Sequence, residues 1–180
     1  VGDIHNTSSQ HCLVVFTGHL GVNKGIPPFF SGVNLARQLN VPLIAISDPS
    51  LALGNDLKLA WYAGNYLHTK LAEKIAIVLD SMFERLNYKP VLIGGSGGGF
   101  AALVQLSLLN READALVWNP QTSIAKYNSD AVFNYLLDTF PSLKLEINKI
   151  LTLPKIEHQK QAEILLKKMG LIYDVSNLKI

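Results

Sequence analysis

Charge is scarce in this chain: Asp, Glu, Lys and Arg together make up 17% of it, and 16 basic against 14 acidic residues leave a formal net charge of +2. So small an excess does not build a surface that tracks phosphates, so nucleic acid is not an expected partner. Cysteine is nearly absent. The single Cys12 lies inside the apolar run Cys12-Leu13-Val14-Val15-Phe16, which excludes an intrachain disulfide and a cysteine-based metal cage and points to a reducing, cytoplasmic setting. No apolar stretch approaches the roughly 18 residues that a spanning helix needs, and the first ten residues, Val1 to Gln10, are polar rather than signal-like. No membrane span is expected. Internal repeats, low-complexity tracts and Ser/Gly/Pro linkers are also missing. The opening at Val1, without an initiator methionine, is what a trimmed start or a segment of a longer protein would show.

What is present is a large apolar fraction, 48% over 180 residues, enough to bury the core of one globular domain. The elements alternate. An apolar run at His11 to Phe16 stops at Thr17-Gly18 and opens a loop, Gly18-His19-Leu20-Gly21-Val22-Asn23-Lys24-Gly25. A helix is expected from about Phe30 to Leu39, then a buried strand at Val41 to Ser47 closed by Asp48-Pro49. Between about Asp56 and Leu86 the apolar residues Leu67, Leu71, Ile75, Val78, Met82 and Leu86 recur at steps of three or four, which predicts one long amphipathic helix. Pro90 to Ile93 reads as a strand, Phe100 to Leu109 as a helix and Ala113 to Trp118 as a strand. Strands separated by helices predict an α/β fold, a three-layer sandwich with a mainly parallel sheet.

After Asn119-Pro120-Gln121 the pattern turns helical, over Asp130 to Thr139, Leu143 to Leu151 and Ile156 to Met169, with Leu171-Ile172-Tyr173 as a candidate short strand. The expected organisation is one domain over 1–180, with core sheet and helices in 11–121 and a cap-like or pre-final-strand helical segment in 122–180. Lys155, Lys160, Lys167 and Lys168 are interspersed with Glu146, Glu157 and Glu163, the composition of a solvated face rather than a binding patch.

The chemically informative segment is Gly94-Gly95-Ser96-Gly97-Gly98-Gly99, between a buried strand and a helix. Gly94, Ser96 and Gly98 satisfy Gly-x-Ser-x-Gly, the pattern of a nucleophile elbow. A serine at the tip of a sharp strand-to-helix turn needs neighbours without a Cβ at these two positions, because they crowd the adjoining backbone. Its hydroxyl then stands above the sheet edge, where the N–H of Gly97 and the positive end of the helix face a developing oxyanion. Two phosphate-binding readings compete. A P-loop fails, because Phe100-Ala101 stand where Lys and Ser or Thr are required. A dinucleotide fingerprint is formally met by Gly97, Gly99 and Ala102, but it follows the third strand rather than the first, and the next strand ends in Asn119 where a ribose-binding acid is expected. A glycine turn that merely lets helix pack on strand is the third alternative.

On these residues the chain resembles the α/β-hydrolase superfamily over roughly 11–121. The Gly18-His19 loop after the first strand matches the position that supplies a second oxyanion N–H, and Ser96 comes two strands later. The phrases Phe29-Phe30-Ser31-Gly32, Ile46-Ser47-Asp48-Pro49-Ser50-Leu51, Ala60-Trp61-Tyr62-Ala63-Gly64-Asn65 and Trp118-Asn119-Pro120-Gln121 look like a bacterial branch of serine hydrolases near surface-polysaccharide systems. The resemblance implies a serine hydrolase or acyltransferase acting on a small-molecule or glycan ester, with Ser96 as nucleophile and Gly97, Gly18 and His19 as the oxyanion hole. It implies no metal and no organic cofactor.

The rest of a triad is not evident. His5 and His11 precede or begin the first strand, His68 falls in the expected long helix, His19 is in the donor loop, and His158 is in a lysine-rich helix. Of these, His158 is the best in-chain candidate for a base. The superfamily places its acid and histidine after two later strands, so both are expected beyond Ile180. Asp48, at the end of a strand, and Asn119 are candidate pocket residues, although a turn cap before Pro49 is the better-supported role for Asp48. Asp114 begins its strand at the opposite edge. Trp61, Tyr62 and Tyr66 fit core packing better than a sugar-stacking platform. The reading from another class is a non-catalytic α/β domain that binds a nucleotide or phosphate at the glycine turn.

Overall fold

The computed structural model describes residues 2–3, 9–21, 25–173, 175 and 178. His5 and the loop residues Val22, Asn23 and Lys24 lie outside them. Five strands form one sheet: β1 (Gly2–Asp3), β2 (His11–Phe16), β3 (Leu43–Ile46), β4 (Lys89–Gly95) and β5 (Asp114–Trp118). Their order is β1-β3-β2-β4-β5; β1 is antiparallel to β3 and the other four strands are parallel. Six helices accompany them among the described residues: α1 (Val33–Leu39), α2 (Leu71–Arg85), α3 (Gly97–Leu108), α4 (Ser129–Thr139), α5 (Lys144–Ile150) and α6 (Lys155–Lys168).

Burial on both faces explains the unbroken apolar strands. On one face Leu13, Val15, Leu43, Ala45 and Ile93 pack with Ala36 of α1. On the other, Cys12, Val14, Phe16, Ile44 and Leu92 meet Leu79 and Phe83 of α2 and Ala101 and Ala102 of α3. Helix, sheet and helix pair make the three layers expected of the α/β class. Helix α3 is largely apolar because it is a core helix: its inner side faces the sheet, while Phe100, Leu103 and Val104 belong to one buried cluster with residues of α4, α5 and α6. No helix among the described residues is long and apolar enough to cross a membrane.

Two expectations are corrected here. The long helix read from about Asp56 to Leu86 begins only at Leu71, so His68 is not helical; Leu67 and Val78 are 58% and 56% exposed. The buried face is Leu71, Ala72, Ala76, Leu79 and Phe83. Residues 53–70 instead follow turns, with positive φ at Trp61 (55°), Tyr62 (56°) and Lys70 (53°), values a helix does not contain. Leu171 to Tyr173 pair with no strand; Leu171 is buried against the helical layer instead. Strand β1, two residues long, carries no strand signal in the sequence; it pairs antiparallel with β3, Gly2 opposite Ile44 and Asp3 opposite Leu43.

The connections set the position of the site. From β2 the chain moves to β3 through α1 on one face, then returns past β2 to β4 through α2 on the other, and goes on to β5 through α3. The direction of winding therefore reverses between β2 and β4. In open α/β sheets the crevice at the carboxyl ends of such a pair is where ligands sit.

Candidate functional site

Ser96 stands in that crevice, on the single residue between β4 and α3. Its φ of 52° and ψ of −121° form a strained turn for a residue with a side chain. The turn is tied down from outside: Ser96 N–H donates to the Trp118 carbonyl at 3.2 Å, and the Ser96 carbonyl accepts from Phe100 N at 3.0 Å and Gln121 N at 3.3 Å. Strand β5 and its exit thus hold the residue in its unfavourable conformation.

The surrounding glycines are explained by contact. A Cβ on Gly98 would meet the Phe16 carbonyl oxygen, on Gly94 the Gly98 carbonyl, and on Gly97 the Leu59 side chain. A Cβ on Gly18 would lie 2.7 Å from the Gly95 carbonyl oxygen and 3.8 Å from the Gly98 nitrogen. The turn after β2 therefore lies directly against the first turn of α3. Gly95 differs, because what a Cβ there meets is the Trp118 indole, a side chain 59% exposed.

Thr17, just before Gly18, is fixed by a buried polar chain. Tyr62 Oη accepts from Thr17 N at 2.8 Å and donates to the Ile46 carbonyl at 2.8 Å. Tyr62 N–H donates to Asp48 Oδ2 at 2.6 Å, while Ser50 N–H donates to Oδ1 at 2.9 Å. Asp48 is thus buried, capping the 3-10 turn at Pro49–Ala52 and locking Tyr62. Desolvation pushes its carboxyl upward, against the opposing pull of the Ser50 and Tyr62 N–H groups.

A cavity of about 450 Å³ is lined by Ser96, Gly18, His19, Ser31, Leu35 and Trp118, among others. His19 is shared with a second cavity of about 410 Å³, lined also by Asp56, Lys58, Tyr127 and Asn134. His158 is elsewhere: it is buried in α6, its Nε2 3.1 Å from the Leu153 carbonyl and its ring edge-on to Phe133. Asp114 joins an exposed ion pair with Lys89. Asn119 is exposed and has φ 44°. Cys12 is buried, its thiol pushed up to about 11 by desolvation, an inert core residue. Trp61 and Tyr62 are core residues, whereas Tyr66 is largely exposed. Among the described residues no three His, Cys, Asp or Glu side chains converge as a metal site would require.

The residue overlooked in the sequence is Gln121. Its Nε2 is 3.1 Å from Ser96 Oγ, the one side-chain hydrogen bond to that hydroxyl among the described residues, and its Oε1 accepts from Trp61 Nε1. The available signal was register: β4 and β5 run side by side with Gly95 opposite Trp118, which sets the residues leaving both strands next to each other.

No protein-family model and no curated protein matches the chain. Among solved structures, it is similar to a chain of the "Glycosylation Associate Protein (Gap123) complex from Streptococcus agalactiae" at 18% identity and a TM-score of 0.50. The match covers 98% of this chain and 34% of that one, so this chain spans about a third of its neighbour's length. At that identity the likeness extends to the fold.

Proposed function

We propose that the protein is a serine-dependent hydrolase or acyltransferase acting on an ester through an acyl-enzyme on Ser96. The observation that carries this reading is the strained Ser96 turn at the mouth of the β2–β4 crevice, with the Gly18 turn pressed against the start of α3. Strain at a serine that opens onto a cavity is kept only where surrounding structure holds it, as β5 does here. In the proposed reaction Ser96 Oγ bonds to the acyl carbon, the carbonyl π pair moves onto oxygen, and that charge is received by the N–H groups of Gly97 and the Gly18-His19 turn at the positive end of α3. Collapse expels the alcohol, which takes up the proton that Ser96 gave to a base, and water or a hydroxyl acceptor later removes the acyl group.

The substrate class we favour is a small-molecule or glycan ester. Its support is the resemblance carried by the Ser96 segment and its flanking phrases, alongside a structural neighbour that belongs to a glycosylation-associated protein complex. A nucleotide or phosphate cradle fits less well, because Phe100-Ala101 stand where a P-loop has Lys and Ser or Thr, and β5 leads into Asn119 where a ribose-binding acid would stand. The test is incubation with a fluorophosphonate and mass spectrometry of the intact and digested protein. We expect one adduct, on Ser96, absent from Ser96→Ala; a folded wild-type protein that takes up no adduct even with imidazole supplied as a base would refute the reading.

A further inference from the structure

We infer that Gln121 is a further catalytic residue of the Ser96 site, a side-chain N–H donor to the serine oxygen aimed by Trp61, whose effect falls chiefly on release of the acyl group; the inference rests on the acyl-enzyme reading above. The orientation of the amide follows from its neighbours. An indole N–H only donates, so the Gln121 atom that faces Trp61 Nε1 is the oxygen, and the NH₂ group must face Ser96 Oγ at 3.1 Å. Trp61 cannot drift from this role: its ring is buried and set edge-on against Tyr127 and Tyr135, with centroids 5.7 and 5.6 Å away. The Gln121 backbone is also anchored, its N–H donating to the Ser96 carbonyl. Donor and nucleophile are thereby held as one unit by residues 25 and 60 positions from Gln121 in sequence.

A primary amide has no basic nitrogen, so Gln121 does not take the serine proton. Since the amide donates, the Ser96 O–H is left to point elsewhere, into the cavity where a base or a substrate stands. The consequence for rate follows from how well Oγ accepts a hydrogen bond in each state. In the free enzyme Oγ is an alcohol oxygen that already accepts from Gln121. In the acyl-enzyme it is the single-bonded oxygen of an ester, whose lone pair is delocalised into the carbonyl, and the bond from Gln121 weakens. During deacylation water adds to the acyl carbon and loses a proton to a buffer base; the C–Oγ bond then breaks, its electron pair goes to Oγ, and Oγ is reprotonated. As that charge grows, the Gln121 N–H becomes a charge-assisted donor. An interaction stronger in the transition state than in the preceding ground state accelerates that step, so the donor favours loss of the acyl group over its formation.

The experiment follows formation and decay of the Ser96 acetyl ester from p-nitrophenyl acetate by intact-protein mass spectrometry, with Ser96→Ala as background. In Gln121→Met, which keeps length but cannot donate, decay should slow about 10²-fold, the typical loss for one such donor, and formation by much less. Trp61→Phe keeps a ring in the core but frees the amide to rotate, and should fall between the two. Unchanged rates in Gln121→Met, or formation and decay slowed equally, would overturn the inference. If Gln121→Met does not melt cooperatively, Trp61→Phe carries the same criterion. A wild-type protein that takes neither acetyl nor fluorophosphonate even with imidazole supplied as a base removes Ser96 as nucleophile, and this inference with it; a wild type that is labelled while the variants behave like it removes this inference alone.

Discussion

At Gly98 the constraint on a single residue is the proximity of another strand's backbone. The obstacle to a side chain is the Phe16 carbonyl, part of a strand paired on both sides, with the Gly18 nitrogen 3.0 Å from the same point. Neither can yield without moving β2. Gly98→Val should therefore cost more than about 2 kcal/mol or prevent folding. Gly95→Ala meets only the indole of Trp118, which has solvent to move into, and should cost clearly less. Urea denaturation of the two variants side by side checks the ranking; equal losses, or a Gly98→Val protein as stable as the wild type, would mean that the α3 turn is looser than its contacts require. Both glycines belong to a legible motif, whereas Gln121 does not. The role proposed for it arises from a partner 25 residues away, and nothing in its immediate neighbours distinguishes it from a loop glutamine.

Among the elements, those most legible in the sequence were the ones whose pattern has a single physical explanation. Strand β2 was read with its observed bounds, His11–Phe16, because an apolar run of that length stopped by Thr17-Gly18 has few other uses. The α2 region misled because apolar spacing from Leu67 onward meets the helical period whether or not the backbone is helical. Tertiary bonds decided otherwise: Asp48 accepting from Tyr62 N, and Tyr62 Oη bridging Thr17 and Ile46, require the turn at residues 61–62. The corrected face can be tested. Leu79→Ala removes a side chain that is 1% exposed and should cost about 2–5 kcal/mol, while Val78→Ala, one residue along and facing solvent, should change stability by less than about 0.5 kcal/mol. Thermal or chemical denaturation of both separates the two faces, and a costly Val78→Ala would restore the longer stripe.

Taken whole, the molecule brings together the proposed nucleophile and its proposed donors from places that the chain keeps far apart in sequence. The reversal of winding brings the β2 and β4 exits together, the turns at 61–62 brace them from one side, and the exit of β5 delivers Gln121 from the other. The same assembly places no imidazole in hydrogen-bond contact with Ser96 among the described residues: His158 is spent on Leu153 and Phe133, and His19 lines the cavity without bonding to the hydroxyl. A positioned base contributes typically about 10²–10⁴-fold, so the 180-residue chain should acylate slowly for its geometry. The cavity of about 450 Å³ at Ser96 is open enough to admit a small base from solution. Imidazole added to the buffer should then accelerate Ser96-dependent acetylation by p-nitrophenyl acetate with saturation, after subtraction of the Ser96→Ala rate, and the acceleration should follow the neutral form of imidazole as pH rises. Acceleration identical in wild type and Ser96→Ala would show that imidazole acts on the ester alone. A fast wild-type reaction without imidazole, lost in His19→Ala, would instead make His19 the base and the cavity it shares with Ser96 a complete catalytic centre.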